Sequence, residues 1–433
     1  MNTNIVDFGA KGDGKTCNTQ AIQKAIDSCC QSGGGIVTVP AGKYITGTIR
    51  LGDNMDLHLE KGAVLKATED LSEYNELGEY PQNFGAPSEQ WSYQHLIIAV
   101  KKKNVSISGH GTIEGCGDEF YGGELHKISN YVWQYGYYTI AEGAPDRPGQ
   151  MICFIECERV SVTGITITNS SSWNLFLHGC EYVTLRELGI FNDKCRANSD
   201  GIDIDCCRYV TVSDCIINTG DDCIAIRGAS DRLKNKKNCE YVAISNCVLS
   251  NSTCAIRIGV GVGEIHYVDI SNIVIAKSGE GITFMTGFCG RSSTFITDVN
   301  ISNIVGDDVG IPIQIFAGEN RIERVTISDF KTNCKNRVII SANQDWIEDL
   351  VLRNIDIRGK EHEITMPETA KKERGDEFVY IGGVKRLVLD NIRIFASDNI
   401  FSGRNNVVTL KDCTALKKDI KLIYDGGEKA VEV

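Results

Sequence analysis

Proline is scarce in the sequence, with 7 among 433 residues, and no segment contains the roughly 18 consecutive apolar residues that a membrane helix needs. The N-terminal residues lack a basic stretch followed by an apolar run, so we expect a cytoplasmic protein, or a secreted one if a signal peptide was removed. An excess of positive charge is missing as well. The 57 acidic and 45 basic side chains give a net charge of −12, which would repel a nucleic-acid backbone. We therefore expect neither a nucleic-acid nor a membrane partner.

The 18 cysteines include no CxxC pair, the spacing that is typical of metal and redox sites. Most of them lie in apolar, strand-like runs, such as the run that follows Asp222. We therefore predict that the cysteines are reduced and serve as small core residues.

A short sequence pattern recurs along the chain. It consists of an apolar residue, any residue, a second apolar residue, and then polar residues before the next apolar pair. Seven of its first apolar positions are Val160, Val183, Val210, Val242, Val268, Val299 and Val325. They are separated by steps of 23, 27, 32, 26, 31 and 26 residues. A period in this range predicts a solenoid, in which each repeat forms one coil that stacks on the previous coil.

The apolar residues alternate with a period of two and many are β-branched, which indicates short strands with one buried face. In five repeats a Ser-Asn or Ser-Asp pair follows, at Asp214, Asn246, Asn272, Asn303 and Asp329. Asn and Asp can adopt the left-handed conformation that a tight bend requires. We therefore predict an all-β solenoid whose bends stack as a ladder.

Three segments depart from the repeat. Residues 17–32 have the apolar period of a helix and end at three glycines, so we predict a helix that caps the open end of the solenoid. Segments 78–96 and 118–150 are aromatic-rich, which fits loops beside a binding cleft or loops that pack against the coils. The chain, 1–433, is accordingly predicted to form a single solenoid domain.

Two successive repeats carry acidic residues at equivalent places. Aligning Ile202 with Ile224 puts Asp200 beside Asp222, about one strand spacing (~5 Å) away, and Asp221 precedes it. Carboxylates crowded in this way repel one another, which raises the pKa of at least one of them and keeps it protonated near neutral pH. A carboxylic acid beside carboxylates is what glycoside hydrolysis requires. Any one of these residues alone would be explained as a turn former.

The sequence resembles the polygalacturonase and rhamnogalacturonase group of glycoside hydrolases, family 28, whose members are right-handed parallel β-helices. The resemblance covers most of the chain, including residues 6–14, 34–42 and 107–115. The family's Asn-Thr-Asp and Gly-Asp-Asp motifs are matched by residues 198–200 and 220–222. The resemblance implies a fold that is a right-handed parallel β-helix.

The resemblance also implies roles for the acidic residues. Asp221 would protonate the departing glycosidic oxygen, while Asp200 and Asp222 would activate a water on the opposite face of the sugar. The outcome would be inversion, for which acid and base lie about 6.5–9.5 Å apart. The resemblance implies no metal and no cofactor.

The chain departs from the family on the next three coils. The family's histidine position is Cys254, its arginine and lysine positions are Thr283 and Met285, and its tyrosine is absent from the fifth coil. In the family the arginine and lysine grip the galacturonate carboxylate, an interaction that Thr and Met cannot make. We therefore expect a rhamnogalacturonan-type or other substrate distinct from homogalacturonan. If the protein is cytoplasmic, imported oligosaccharides and exo cleavage are favoured.

Two arginines are candidate substrate-binding residues. The strand register predicts that Arg257 lies in one column with Asp203 and Thr283, and that Arg227 lies beside Asp205 and Met285. Each arginine would either meet a uronate at another subsite or pair with the two aspartates of the neighbouring coil.

Trp173 is predicted to lie one coil before Asp200. It would serve either as a platform for a sugar ring or as a rim aromatic that packs on the coil.

Two other functions remain open at this point. In a calcium-dependent polysaccharide lyase, Asp200, Asp221 and Asp222 would hold calcium beside a uronate, and Arg257 would remove the proton. In a non-catalytic glycan-binding or structural β-helix, the missing His, Arg, Lys and Tyr would mean lost activity, but the retained acidic residues argue against that reading.

Overall fold

The computed structural model describes residues 2–76, 79–80, 94–120, 147–194, 196, 198–287, 292–334, 338–342, 346–359, 377–395, 407–424 and 427–430. Most of the two predicted cleft loops, namely residues 81–93 and 121–146, lies outside the described residues. The remaining chain is dominated by strands, as the repeat predicts.

The strands form two sheets that run the length of the molecule. The first, called the site sheet, consists of twelve parallel strands: Ile49–Arg50, Ile97–Val100, Ile152–Ile155, Leu175–His178, Ile202–Asp205, Ile224–Gly228, Cys254–Gly261, Glu280–Met285, Ile311–Ala317, Val338–Ala342, Val379–Gly382 and Val408–Lys411. Each strand pairs with the equivalent strand of the next coil.

The second sheet, called the outer sheet, has twenty-two strands and covers the other side of the coils. Its pairings are parallel except for the last one. Its strands are Asn2–Asn4, Asp13–Cys17, Gly35–Val39, Gly42–Thr46, Met55–Leu59, Ala63–Ala67, Lys103–Gly109, Thr112–Glu114, Glu158–Thr163, Thr166–Thr168, Glu181–Arg186, Gly189–Phe191, Arg208–Ser213, Ile216–Asn218, Cys239–Ser250, Glu264–Ala276, Phe295–Val309, Ile322–Cys334, Ile347–Gly359, Val384–Phe395, Thr414–Tyr424 and Gly427–Ala430.

The register of the outer sheet confirms the predicted repeat. The seven repeat valines, from Val160 to Val325, pair with one another in sequence order from coil to coil. All seven are buried and contribute to one continuous apolar core between the sheets. The architecture is therefore a parallel β-helix, in which each apolar position of one coil packs on the same position of the next.

The predicted bends are present as an asparagine ladder. Asp214, Asn246, Asn272 and Asn303 all have φ between 56° and 58°. Each asparagine side chain donates to the residue below it, with Nδ2–Oδ1 distances of 3.2–3.3 Å. The left-handed backbone therefore forms each bend, and the side-chain hydrogen bonds connect it to the bend of the neighbouring coil.

A second column of left-handed residues was not predicted. It lies directly before the repeat valines and includes Tyr182, Tyr209, Tyr241 and Tyr267, with φ of 56–59°. Their rings stack with centroids 4.9–5.2 Å apart. Because tyrosine disfavours this backbone conformation, the stacking of equivalent rings helps to offset the strain.

Helix α1 spans Thr19–Gln31, within the predicted 17–32. It packs against the first strands, with Ile22, Ala25, Ile26 and Cys29 buried in the common core. A four-residue helix, α2, spans Gly117–Phe120, and short 3-10 turns span Ile5–Phe8, Leu71–Glu73 and Ser230–Arg232. Among the described residues, no helix has the length and apolarity to cross a membrane. The sixteen described cysteines are free thiols, and thirteen of them are buried as predicted; Cys17 is exposed, and Cys30 and Cys413 are partly buried.

We predict that Asn272→Ala lowers the free energy of unfolding by about 2 kcal/mol. The alanine would adopt a left-handed conformation, at a cost of about 1–2 kcal/mol, and the ladder hydrogen bonds would be lost. Asn272→Gly is the matched control, because glycine adopts this backbone without strain and loses the hydrogen bonds and some unfolded-state entropy. Urea denaturation measures both, and equal losses for the two variants would contradict the backbone argument.

Candidate active site

Three aspartates converge at the start of two neighbouring strands of the site sheet. Ile202 pairs with Ile224, so Asp200 lies level with Asp222, and Gly201 N–H donates to the Asp222 carbonyl at 2.8 Å. The nearest carboxylate oxygens of Asp200, Asp221 and Asp222 all lie within 4.8 Å of one another. The three residues are only 4–5% exposed. The structure therefore brings together the three acids that the sequence singles out.

Burial and mutual repulsion favour the protonated form within this acidic trio. Burial, followed by the charges of Asp221 and Asp203, raises the pKa of Asp200 well above its usual value. Burial and the charge of Asp222 raise the pKa of Asp221 to about 7. Asp221 also accepts a hydrogen bond from the Asn198 N–H at 3.2 Å. The trio can therefore hold a proton near neutral pH.

Arg257 pairs with the trio and not with the aspartates predicted for it. It has the predicted register, beside Ala225 and Thr283. Its Nε and Nη2 donate to Oδ2 and Oδ1 of Asp222 at 2.5 and 2.9 Å. The expected pairing with Asp203 or Asp205 is therefore replaced by a bidentate, buried ion pair with Asp222. The register analysis missed it because the long side chain crosses Ala225 towards the strand start.

Arg227 makes the contacts that were predicted for either arginine. Its Nη1 lies 3.7 Å from Asp203 and its Nε 3.5 Å from Asp205. Its register with Asp205 is confirmed. On the other side the pairing becomes irregular between Ile226 and Gly228, and Gly259, which follows the partner of Ile226, pairs with Met285.

Trp173 lies one coil before Asp200, as predicted, since the Asn174 N–H donates to the Asp200 carbonyl. The guanidinium carbon of Arg227 lies 4.5 Å from the centroid of its ring, and Phe176 packs against it edge-on. Trp173 is 3% exposed. The structure therefore fits the packed aromatic better than an open sugar platform.

Glu280 is a site residue that the sequence analysis missed. It pairs with Cys254 in the register, which places it in the column of Asp222 two coils away. It accepts hydrogen bonds from Thr283 Oγ1 at 2.6 Å and from Gln314 Nε2 at 3.2 Å. Burial raises its pKa. Extending the alignment of Ile224 to the next two strands would have revealed it.

Two groups of described residues have the composition of a metal site. One is the acidic trio, in which Arg257 already occupies both oxygens of Asp222. The other consists of His178, Asp205 and Cys206, whose possible ligand atoms lie within 4.8 Å of one another. There Asp205 accepts from the Ala229 N–H and lies beside Arg227, so its carboxylate is engaged as well.

A parallel β-helix with a buried cluster of carboxyl groups fits glycoside hydrolysis, in which a carboxylic acid acts beside a carboxylate. The family model described as "Glycosyl hydrolases family 28" matches residues 29–241, which include the acidic trio. Over these residues the chain is similar to this family of glycoside hydrolases.

Individual relatives agree with this assignment. The chain is similar to a "Probable polygalacturonase" of Vitis vinifera, with 28% identity over 69% of this chain and 59% of the relative. It is similar to an "Exopolygalacturonase" of Zea mays, with 24% identity over 81% of this chain and 75% of the relative. The chain is also similar to the solved structure of an exopolygalacturonase from Thermotoga maritima, with a TM-score of 0.62 and 20% identity. The match covers 100% of this chain and 94% of the Thermotoga maritima chain. The predicted right-handed parallel β-helix is confirmed.

We predict that Asp221→Asn makes the protein more stable than the wild type at pH 8 but not at pH 4. Because the pKa of Asp221 is raised from 3.8 to about 7 in the folded state, its contribution to stability is fully present below pH 3.8. It is lost as the pH rises through 7, by ~2–4 kcal/mol in total. The amide cannot ionise and avoids this loss. Urea denaturation at both pH values measures the difference, with the exposed Asp214→Asn as control; a pH-independent difference would contradict the raised pKa.

Proposed function

We propose that the protein is an inverting, exo-acting glycoside hydrolase that cleaves pectin-derived or related oligosaccharides. Asp221 protonates the departing glycosidic oxygen, and the carboxylates of Asp200 and Asp222 activate the attacking water. The observation that carries this proposal is the convergence of three buried carboxyl groups within 4.8 Å, where burial and a neighbouring carboxylate raise the pKa of Asp221 to about 7. An acid with this pKa can release its proton during a reaction near neutral pH.

The proposed substrate is a rhamnogalacturonan-type or other oligosaccharide without galacturonate at the subsite next to the cleaved bond. Support comes from Thr283, which is fully buried and donates to Glu280, and from Met285, two residues further along the strand. A buried carboxyl group at this place would repel a uronate that the family's arginine and lysine would attract. Exo action is supported by relatives that are named exopolygalacturonases.

The lyase hypothesis finds less support. It requires Arg257 as the base and the trio as calcium ligands. Arg257 donates two hydrogen bonds to Asp222, so the same contact engages the proposed base and one proposed ligand. A lyase would release an unsaturated product that absorbs in the ultraviolet and would stop when a chelator is added.

Incubation with a panel of pectic and neutral oligosaccharides tests the function and the substrate class. We expect saturated products, released one unit at a time, from rhamnogalacturonan-type or neutral oligosaccharides faster than from homogalacturonan fragments. Asp221→Asn should lower turnover by about 10²–10⁴-fold and leave ligand binding nearly unchanged. Asp214→Asn, which changes an exposed aspartate in the same way, is the control. Preferred cleavage of homogalacturonan would contradict the substrate class, and full turnover by Asp221→Asn would contradict the role of the acid.

The anomeric configuration of the first product tests the stereochemistry. The nearest oxygens of the trio lie within 4.8 Å, which is closer than the about 6.5–9.5 Å separation of carboxyl groups in most inverting enzymes. The predicted spacing is therefore not met by these nearest oxygens, and inversion rests on the family resemblance. Proton NMR of the fresh product should show the inverted anomer. The retained anomer would mean that one carboxylate attacks the sugar directly.

A further inference from the structure

The three carboxylates of the acidic trio have different contacts. Asp222 has both oxygens occupied by the Arg257 guanidinium. Asp221 accepts from the Asn198 N–H through Oδ2. Asp200 has its buried Oδ1 without a hydrogen-bond partner among the described residues. The trio is therefore not a set of interchangeable acids.

The contact between Arg257 and Asp222 is bidentate and charge-assisted. Each N–H occupies one of the two lone pairs of its acceptor oxygen, so the guanidinium fixes both oxygens of Asp222. Separating the pair would leave Arg257 as an uncompensated buried charge. Asp222 is therefore tied to Arg257 through both of its oxygens.

We infer that Asp222 and Arg257 form a fixed ion pair that does not activate the attacking water, and that Asp200 alone serves as the base opposite Asp221. Arg257 is then a positioning residue, which acts through Asp222. The inference rests on the proposed function and narrows it, because the family resemblance gives water activation to Asp200 and Asp222 together.

The register explains why this arginine can reach Asp222. Arg257 pairs with Ala225, whose small side chain leaves room for a long one to cross it. Asp222 lies three residues before Ala225, at the start of the same strand. Cys254, Thr283 and Met285 occupy the family's basic positions and carry no positive charge. In the described part of the site, Arg257 therefore supplies the positive charge in contact with the trio.

The ion pair also sets the proton affinity of the acid. The charge of Asp222 raises the pKa of Asp221 and the charge of Arg257 lowers it. Cys254 and Glu280 also face the pair, while Asp203 and Arg227 act on Asp200. Removing Arg257 alone should move the alkaline limb of the pH–rate profile to higher pH, and removing Asp222 alone should move it to lower pH. A residue that only maintained the fold would not shift this limb.

A double-mutant cycle tests the inference, with kcat/KM measured on an oligosaccharide that the wild type cleaves. Asp222→Asn leaves Arg257 without its counter-ion and should lower kcat/KM by about 10²-fold or more. Asp222→Asn with Arg257→Gln removes both charges and should recover at least about tenfold, the coupling expected for groups in direct contact. Arg257→Gln added to Asp200→Asn is the matched control and should recover nothing. A double variant no more active than Asp222→Asn, with its native thermal transition, would overturn the inference.

Azide supplies a second measurement that does not depend on the double variant. Azide is anionic and attacks a sugar without losing a proton, so it can replace water where the base is missing. The azide nitrogen bonds to the anomeric carbon, the glycosidic C–O bond breaks, and Asp221 gives its proton to the leaving oxygen. We expect azide to accelerate Asp200→Asn with formation of a glycosyl azide, and not Asp222→Asn; acceleration of Asp222→Asn instead would overturn the inference. If the wild type cleaves no member of the oligosaccharide panel, that result would contradict the proposed function itself.

Discussion

Each coil stacks directly on the previous one, and this stacking determines which side chains can occupy each position. Parallel pairing fixes the spacing between coils at about 4.8 Å, so a side chain must contact its equivalent on the next coil. Valines satisfy this constraint by apolar packing, asparagines by a hydrogen-bond ladder, and tyrosines by ring stacking. Aspartates cannot satisfy it, because equal charges at this distance repel one another. The acidic trio therefore lies at a place where stacking of equivalent side chains is unfavourable.

The structure offsets the repulsion between the three aspartates in two ways. Asp200 and Asp221 have raised pKa values, so a proton can replace a charge within the trio. Asp222 is instead neutralised by Arg257, which makes two charge-assisted hydrogen bonds to it. In the proposed mechanism, protonation and ion pairing divide three similar carboxyl groups into an acid, a base and a counter-ion, the combination that general acid–base chemistry needs.

The sequence predicts those features that depend on the repeat alone. The columns of valines, the left-handed Asn272 and the meeting of Asp200 with Asp222 follow from period and register, which every coil shares. The partner of Arg257 could not be predicted, because it depends on how a long side chain crosses Ala225. The irregular pairing after Ile226 could not be predicted either, because the alternation of apolar residues does not reveal a bulge. The left-handed tyrosines were missed because their intrinsic preference opposes that conformation. Arg159, Asp298 and Arg324 adopt it at the same place in other coils, so the conformation belongs to this position of the coil.

The ionisation of Asp221 is the most direct test of the account, and difference infrared spectroscopy can measure it. The carboxyl band of a protonated aspartic acid, present in the wild type and absent from Asp221→Asn, should disappear on titration with a midpoint of about 7. Titration of this band near 3.8, the ordinary value for aspartate, would mean that the trio holds no proton at neutral pH. Asp221 would then not be the acid, and the proposed mechanism would be wrong.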